Sequence, residues 1–361
     1  MKKSPKLMVY FINLFVSCYL LSKVKLYNRH ELIISICPVV LLWTLIVGGQ
    51  YYVGTDYGAY LNYFTPPFFE NRFEPLFSLC SNILVNNGFG GQFPFFVFGF
   101  INCVLIFSSA YKLKIQYLGI FYFLLITVST FFNNQMNGIR QCIATAFCFF
   151  AFSELNGSKI KGVLFIIIAM GFHYSALVFV PFFLYPKLIV RLTSFPKLLL
   201  ICCCACSLIQ FDNGLINSFF LHLVPENWLL ETNYLSYESI DYDSSSSILI
   251  KLSKIFLLPV YWFSLKLLSE NVLSEKEKML YFFGFFAYNL RMLLMINQLI
   301  GRFSYYFWIP SIIPIYFLAR YFIIRNETQK LIFLLLYVSI SYFTKVFMGF
   351  AEYSYSFYLF N

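Results

Sequence analysis

The sequence predicts an all-α, polytopic integral membrane protein with about 11–12 transmembrane helices plus a re-entrant or interfacial segment. Three observations lead there. Of 361 residues, 60% are apolar, 22% aromatic and only 12% charged, with a mean hydropathy of +0.73, which excludes a water-soluble globular domain and a disordered chain. Apolar runs close to the roughly 20 residues that cross a bilayer recur along the chain and leave no room for a sizeable soluble domain. The Lys and Arg side chains, 26 in all, gather in short loops between those runs, as the positive-inside rule produces. One integral domain, 1–361, is expected.

The net charge of +10 forms no basic patch interleaved with aromatics, so it reports topology and not a nucleic-acid partner. The ten cysteines lie in apolar runs, including Cys202 to Cys206, and read as small hydrophobes, not as metal ligands or a disulfide framework. No small-residue cleavage site follows Lys2 and Lys3, so the first apolar stretch is expected to stay as a span.

In chain order, a first span over 7–22 leads to a basic linker with Lys23, Lys25 and Arg29, and a second covers 32–49. With that linker inside, 51–92 is an outer loop, and its apolar part, 75–88, is too short to span and reads as re-entrant or interfacial. Spans over 93–111 and 117–132 follow, and then the helix carrying Arg140 returns inward to Lys159 and Lys161. Basic residues flank 162–185 on both sides, and GFHYS interrupts it. Two short helices meeting at His173 satisfy both flanks, whereas a single tilted helix would invert everything downstream. A span over 197–209 precedes the polar loop 211–247, which holds six acids and no Lys or Arg and is expected outside as well. The remaining spans cover 248–268, 279–296, 302–319 and 331–348. This topology leaves Arg72, Arg140, Lys251, Lys254, Arg291, Arg302 and Lys345 unexplained.

Ionisable residues at membrane depth are functional candidates by default. Arg140 in NGIRQ and Arg302 in LIGRFSYYF stand at outer helix ends, where a guanidinium can pair with phosphate through its planar fork or simply snorkel to the headgroups. Arg72 lies in the outer loop with Asp56, Glu70 and Glu74. Asp56 and Glu74 are candidate general bases, and each also reads as a helix-start residue: Asp56 as an N-cap before Tyr57, Glu74 ahead of Pro75. His173, between two apolar half-helices, is a candidate acid, base or phosphate donor. Tyr57, Tyr60 and their neighbours offer stacking faces for sugars, although an interfacial aromatic belt gives the same composition. With three His and no acidic pair at ligand spacing, no metal site or cofactor is read.

VGTDYGAYLNYF, RFEPLFSLCSNIL, GIRQCIATAFCFFAF, GFHYSALVFVPFFLY and GRFSYYFWIPSI, in that order over roughly 32–320, together resemble the EpsG family, grouped with the Wzy-type O-antigen and capsular polysaccharide polymerases. The resemblance carries over Asp56, Tyr60, Glu74, Arg140, Gln141, His173, Ser175, Arg302 and Tyr306. It implies a metal-independent glycosyltransferase, with a fold similar to the class C glycosyltransferases, in the bacterial inner (cytoplasmic) membrane with its site facing the periplasm. Donor and acceptor would be undecaprenyl-pyrophosphate-linked oligosaccharides, and membrane lipids and a chain-length regulator would be the further partners. In that reading Asp56, His173 and Glu74 are the catalytic candidates, with Asp56 ranked first as base. Arg140, Arg302 and Arg72 hold the pyrophosphate, and Tyr57, Tyr60, Gln141 and Tyr306 contact substrate. A lipid-linked oligosaccharide flippase, an O-antigen ligase and a membrane acyltransferase are the alternatives, separable from a polymerase by the glycan a deletion strain displays.

Overall fold

A computed structural model describes residues 5–24, 29–66, 73–208, 255–294, 298–349 and 353–358. Arg72, Glu70, Lys251, Lys254 and the acidic loop 211–247 lie outside the described residues. Among those described, every regular element is a helix, and the only β pairing is an isolated bridge between Gln50 and Phe357. The chain is therefore all-α.

Three helices are long and apolar enough to cross a membrane: Phe93–Lys112, Gly301–Ile324 and Thr328–Met348. Tyr174–Leu184 and Pro186–Leu192 add a fourth if the pair, bent by 76°, counts as one span. Shorter apolar helices, such as Met8–Ser22, Ile33–Gly48, Leu118–Thr127 and Ile139–Ser153, complete the bundle. Local chemistry shortens them. Leu118–Thr127 gives way at Thr130, whose φ of 57° is left-handed, and the next helix begins only at Phe131. The expected break at His173 is present: Lys159–Phe172 ends there, His173 is extended, and a 3-10 turn over Tyr174–Val178 follows.

Ile139–Ser153 packs between Phe93–Lys112 and Lys159–Phe172, while Arg29–Gly48 covers the other side of Phe93–Lys112. Close crossings rest on glycine. At Gly284 of Glu275–Leu294 a Cβ would stand 2.6 Å from the Pro310 carbonyl oxygen, so a larger residue would force the two helices apart. The interior is largely aromatic: Phe64, Phe77 and Phe98 are buried against one another, and Phe152, Phe179, Phe283 and Phe307 form a second group. None of the ten cysteines forms a disulfide.

The two ends of the bundle differ in charge. At one end the basic loops are laced together by ion pairs: Lys112 with Glu154, Arg320 with Glu277, and Lys266 and Arg325 with Glu270. Asn156 also donates to the Lys276 carbonyl at 3.2 Å. Phe93–Lys112 finishes at this end, Lys159–Phe172 starts from it, and Gly301–Ile324 runs down to it. Their other ends converge on Gln92, His173 and Arg302, where the polar side chains of the candidate site gather.

Candidate active site

Glu74 occupies the N-cap position of Pro75–Asn86, and Pro75 supplies a first helical residue whose missing N–H costs the helix nothing. Its carboxylate makes no cap hydrogen bond. Both oxygens are engaged elsewhere. Oε2 accepts from Arg140 Nη1 at 2.5 Å, and Oε1 lies 2.8 Å from His173 Nδ1, at ion-pair distance though without in-line hydrogen-bond geometry. Arg140 is the second residue of Ile139–Ser153, and His173 is the residue on which Lys159–Phe172 ends, so three separate stretches of chain deliver one carboxylate, one guanidinium and one imidazole to a single point.

The cluster is partly withdrawn from water. Glu74 is 6% exposed, and the Arg140 guanidinium lies over the Phe73 ring at 4.1 Å while its Nε donates to the Tyr60 hydroxyl at 3.4 Å. Burial by itself pushes the Glu74 carboxyl up. The His173 contact and the Arg140 charge outweigh that and hold it down at about 2, so Glu74 is an anion at any physiological pH. The imidazole turns its Nδ1 toward the carboxylate, without in-line hydrogen-bond geometry.

A second set of contacts ties the late GRFSYY segment to this cluster. Gln141 Nε2 donates to the Arg302 carbonyl at 2.7 Å, and the hydroxyls of Ser175 and Tyr306 are 2.7 Å apart. Arg302, half-buried on Gln298–Ser304, is near enough for its charge to bear on His173. The structure therefore brings together Tyr60, Glu74, Arg140, Gln141, His173, Ser175, Arg302 and Tyr306.

Of the residues expected to face substrate, Tyr57 and Tyr306 are buried. Tyr57 is fully buried, stacked on Phe95 with its hydroxyl donating to Gln92 Oε1 at 2.6 Å. It therefore braces the loop from inside and offers no face to a sugar. Tyr306 is likewise buried and acts as a strut through Ser175. Asp56 is exposed at the rim, at the N-cap position of Tyr57–Tyr63 but with no side-chain cap bond.

One contributor is absent from the sequence reading. Asn137 Oδ1 accepts from the backbone N–H groups of Thr55 at 2.8 Å and Asp56 at 3.0 Å, fastening the GTDY turn to the start of the Arg140 helix. Gly54 makes this approach feasible: its φ is +76°, and a Cβ there would stand 2.5 Å from Asn137 Oδ1. The only sequence signal was the position of Asn137 immediately before Gly138 in a polar interruption between apolar runs. The C-terminal segment closes the same edge, with Tyr51 N donating to Ser356 O at 2.9 Å and Tyr358 N to Gly49 O at 2.7 Å.

A family model matches residues 32–360, nearly the whole chain. The chain belongs to the EpsG family. EpsG proteins form a Wzy-like, polymerase-type family, and the match spans every segment that builds the site, from GTDY to GRFSYY. No curated protein and no solved structure matches the chain. As an EpsG-family member the protein is a membrane protein with a polysaccharide polymerase-type function.

Proposed function

We propose that this EpsG-family protein is an O-antigen or capsular polysaccharide polymerase of the bacterial inner membrane. It transfers a growing glycan from undecaprenyl pyrophosphate to the non-reducing end of another lipid-linked repeat unit at the periplasmic face, without a metal ion. The observation that carries the reading is the meeting of Glu74, Arg140 and His173 at the end of the bundle opposite the ion-paired basic loops.

The acceptor hydroxyl attacks the anomeric carbon of the donor glycan, a new C–O bond forms, and the bond from that carbon to the pyrophosphate oxygen breaks. The hydroxyl proton passes to His173 Nε2. Glu74, facing Nδ1, stabilises the imidazolium that results and is a positioning residue. A carboxyl held down at about 2 is too weak a base to take that proton itself. The leaving pyrophosphate gains negative charge, which needs fixed cations where no divalent ion is used. Arg140 has five N–H donors; Glu74 and Tyr60 take two, and the others meet the phosphate oxygens together with Arg302 and Arg72. Asp56, exposed at the rim, binds hydroxyls of the incoming acceptor sugar.

The direct test is the purified protein in vesicles, supplied with lipid-linked repeat units and excess EDTA. Products of two or more repeats, with release of undecaprenyl pyrophosphate, are expected. Movement of the intact lipid-linked unit across the vesicle membrane without any new glycosidic bond would replace the polymerase with a flippase.

A further inference from the structure

The break at His173 does more than place an imidazole. Beyond it, the 3-10 turn Tyr174–Val178 and the short helix Phe179–Leu184 run on to a 76° bend before Pro186–Leu192, and between them and Phe303 lies a groove of about 710 Å³. That volume is within the range of small-molecule sites, about 300–1,000 Å³. Its walls are almost entirely apolar, and Tyr174, Leu177, Leu184 and Tyr185, which line it, are exposed. Its inner end is marked by Ser175 and Phe303. Ser175 is two residues from His173 and bonded to Tyr306, and Phe303 directly follows Arg302.

We infer that this groove holds the isoprenoid chain of the lipid-linked donor, delivering its pyrophosphate to Arg140 and Arg302. The inference rests on the polymerase reading and adds the route by which the lipid enters. A polyprenyl diphosphate joins an anionic head to a long branched hydrocarbon. A site that grips the head through guanidinium groups must let the tail leave without crossing polar side chains. The groove is lined by Phe303, the neighbour of Arg302 in the chain, and by Ser175, and its Tyr174, Leu177, Leu184 and Tyr185 are exposed, so the tail has an apolar course that starts next to the segment carrying Arg302. Bulk lipid chains wet every exposed apolar face, such as Phe333, Leu336 and Ile340 on Thr328–Met348, but that face has no polar terminus next to a cation of the site.

The experiment compares binding of undecaprenyl diphosphate and geranyl diphosphate to the detergent-purified full chain by native mass spectrometry. Leu177→Trp and Leu184→Trp fill the groove; because both leucines are exposed, the substitutions disturb no packed interior. Each is expected to weaken undecaprenyl diphosphate roughly tenfold or more, since many methylenes lose their burial, and to leave geranyl diphosphate unchanged. Leu336→Trp should alter neither. Wild-type affinity for the long chain in both groove variants, or an equal loss with Leu336→Trp, overturns the groove assignment while leaving the polymerase reading standing. Failure of the wild-type protein to bind either diphosphate overturns the polymerase reading, and the groove assignment with it.

Discussion

At the scale of single residues, the site is centred on a carboxylate whose two oxygens are both engaged. Glu74 was legible as a helix-start residue because it precedes Pro75, and as a candidate base because it sits in a polar loop. Its actual role depends on Arg140, 66 positions away, and on His173 further along the chain, and no local pattern reports such contacts. The cluster sets three expectations. Arg140→Ala, which removes the fork proposed to bind phosphate, should abolish chain extension while the protein still reaches the membrane; His173→Gln should slow it by about a hundredfold or more. Both are read from the rate of polymer formation in vesicles. Acid should act through Glu74. Its folded-state carboxyl lies below the ordinary 4.5, at about 2, so the stability it contributes is complete above the ordinary value and is lost as pH falls from about 4.5 toward 2. That contribution is roughly 3 kcal/mol. Thermal unfolding followed from pH 7 to pH 3 should therefore show a smaller acid-induced drop in Tm for Glu74→Gln than for wild type. Equal drops would mean that the carboxylate is not held by Arg140 and His173.

At the scale of elements, helix existence was readable from apolar runs, and the interruption GFHYS marked the break at His173 correctly because Gly, His and Ser punctuate an otherwise continuous apolar stretch. What stayed hidden was the way elements are fastened. The tyrosines following Asp56 read as an outer belt or as stacking faces, yet Tyr57, Tyr60 and Tyr63 are all buried, since the short helix Tyr57–Tyr63 folds back onto Phe73, Phe77 and Phe95. The periodicity of a seven-residue helix is too brief to tell an inner face from an outer one. Asn137 is the fastener between the GTDY turn and the Arg140 helix. Asn137→Ala hands two exposed backbone donors to water and should cost about 0.5–1.5 kcal/mol, together with much of the polymerising activity. Asn137→Asp keeps the acceptor and should restore most of both. Melting curves and product length measured side by side would show whether the turn matters only to stability. Gly284→Ala, which drives a Cβ against Pro310 and Pro314, should lower Tm far more than Gly138→Ala, whose nearest neighbour is 3.9 Å away.

At the scale of the whole molecule, the charge gathered in short loops has a structural counterpart: the loops that hold Lys112, Lys276, Arg320 and Arg325 are joined by ion pairs and hydrogen bonds at one end, and the candidate site occupies the other. Charge in short loops was legible because the rule concerns sequence-local clusters, whereas the convergence of GTDY, FEP, GIRQ, FHYS and GRFSYY is a property of packing that only the ordered family resemblance anticipated. A reporter that is active only outside the cytoplasm should work when fused after Asn137 and fail when fused after Asn326; the reverse would turn the site toward the cytoplasm. The joining of repeat units into polymer is assigned to one site, built on Glu74, Arg140 and His173. Its most direct test is a gel of the surface glycan extracted from a strain that lacks this protein and carries, in turn, wild-type and Arg140→Ala copies. Wild type should restore long ladders, and Arg140→Ala should leave a single repeat unit on its anchor. Normal ladders from Arg140→Ala would contradict the claim.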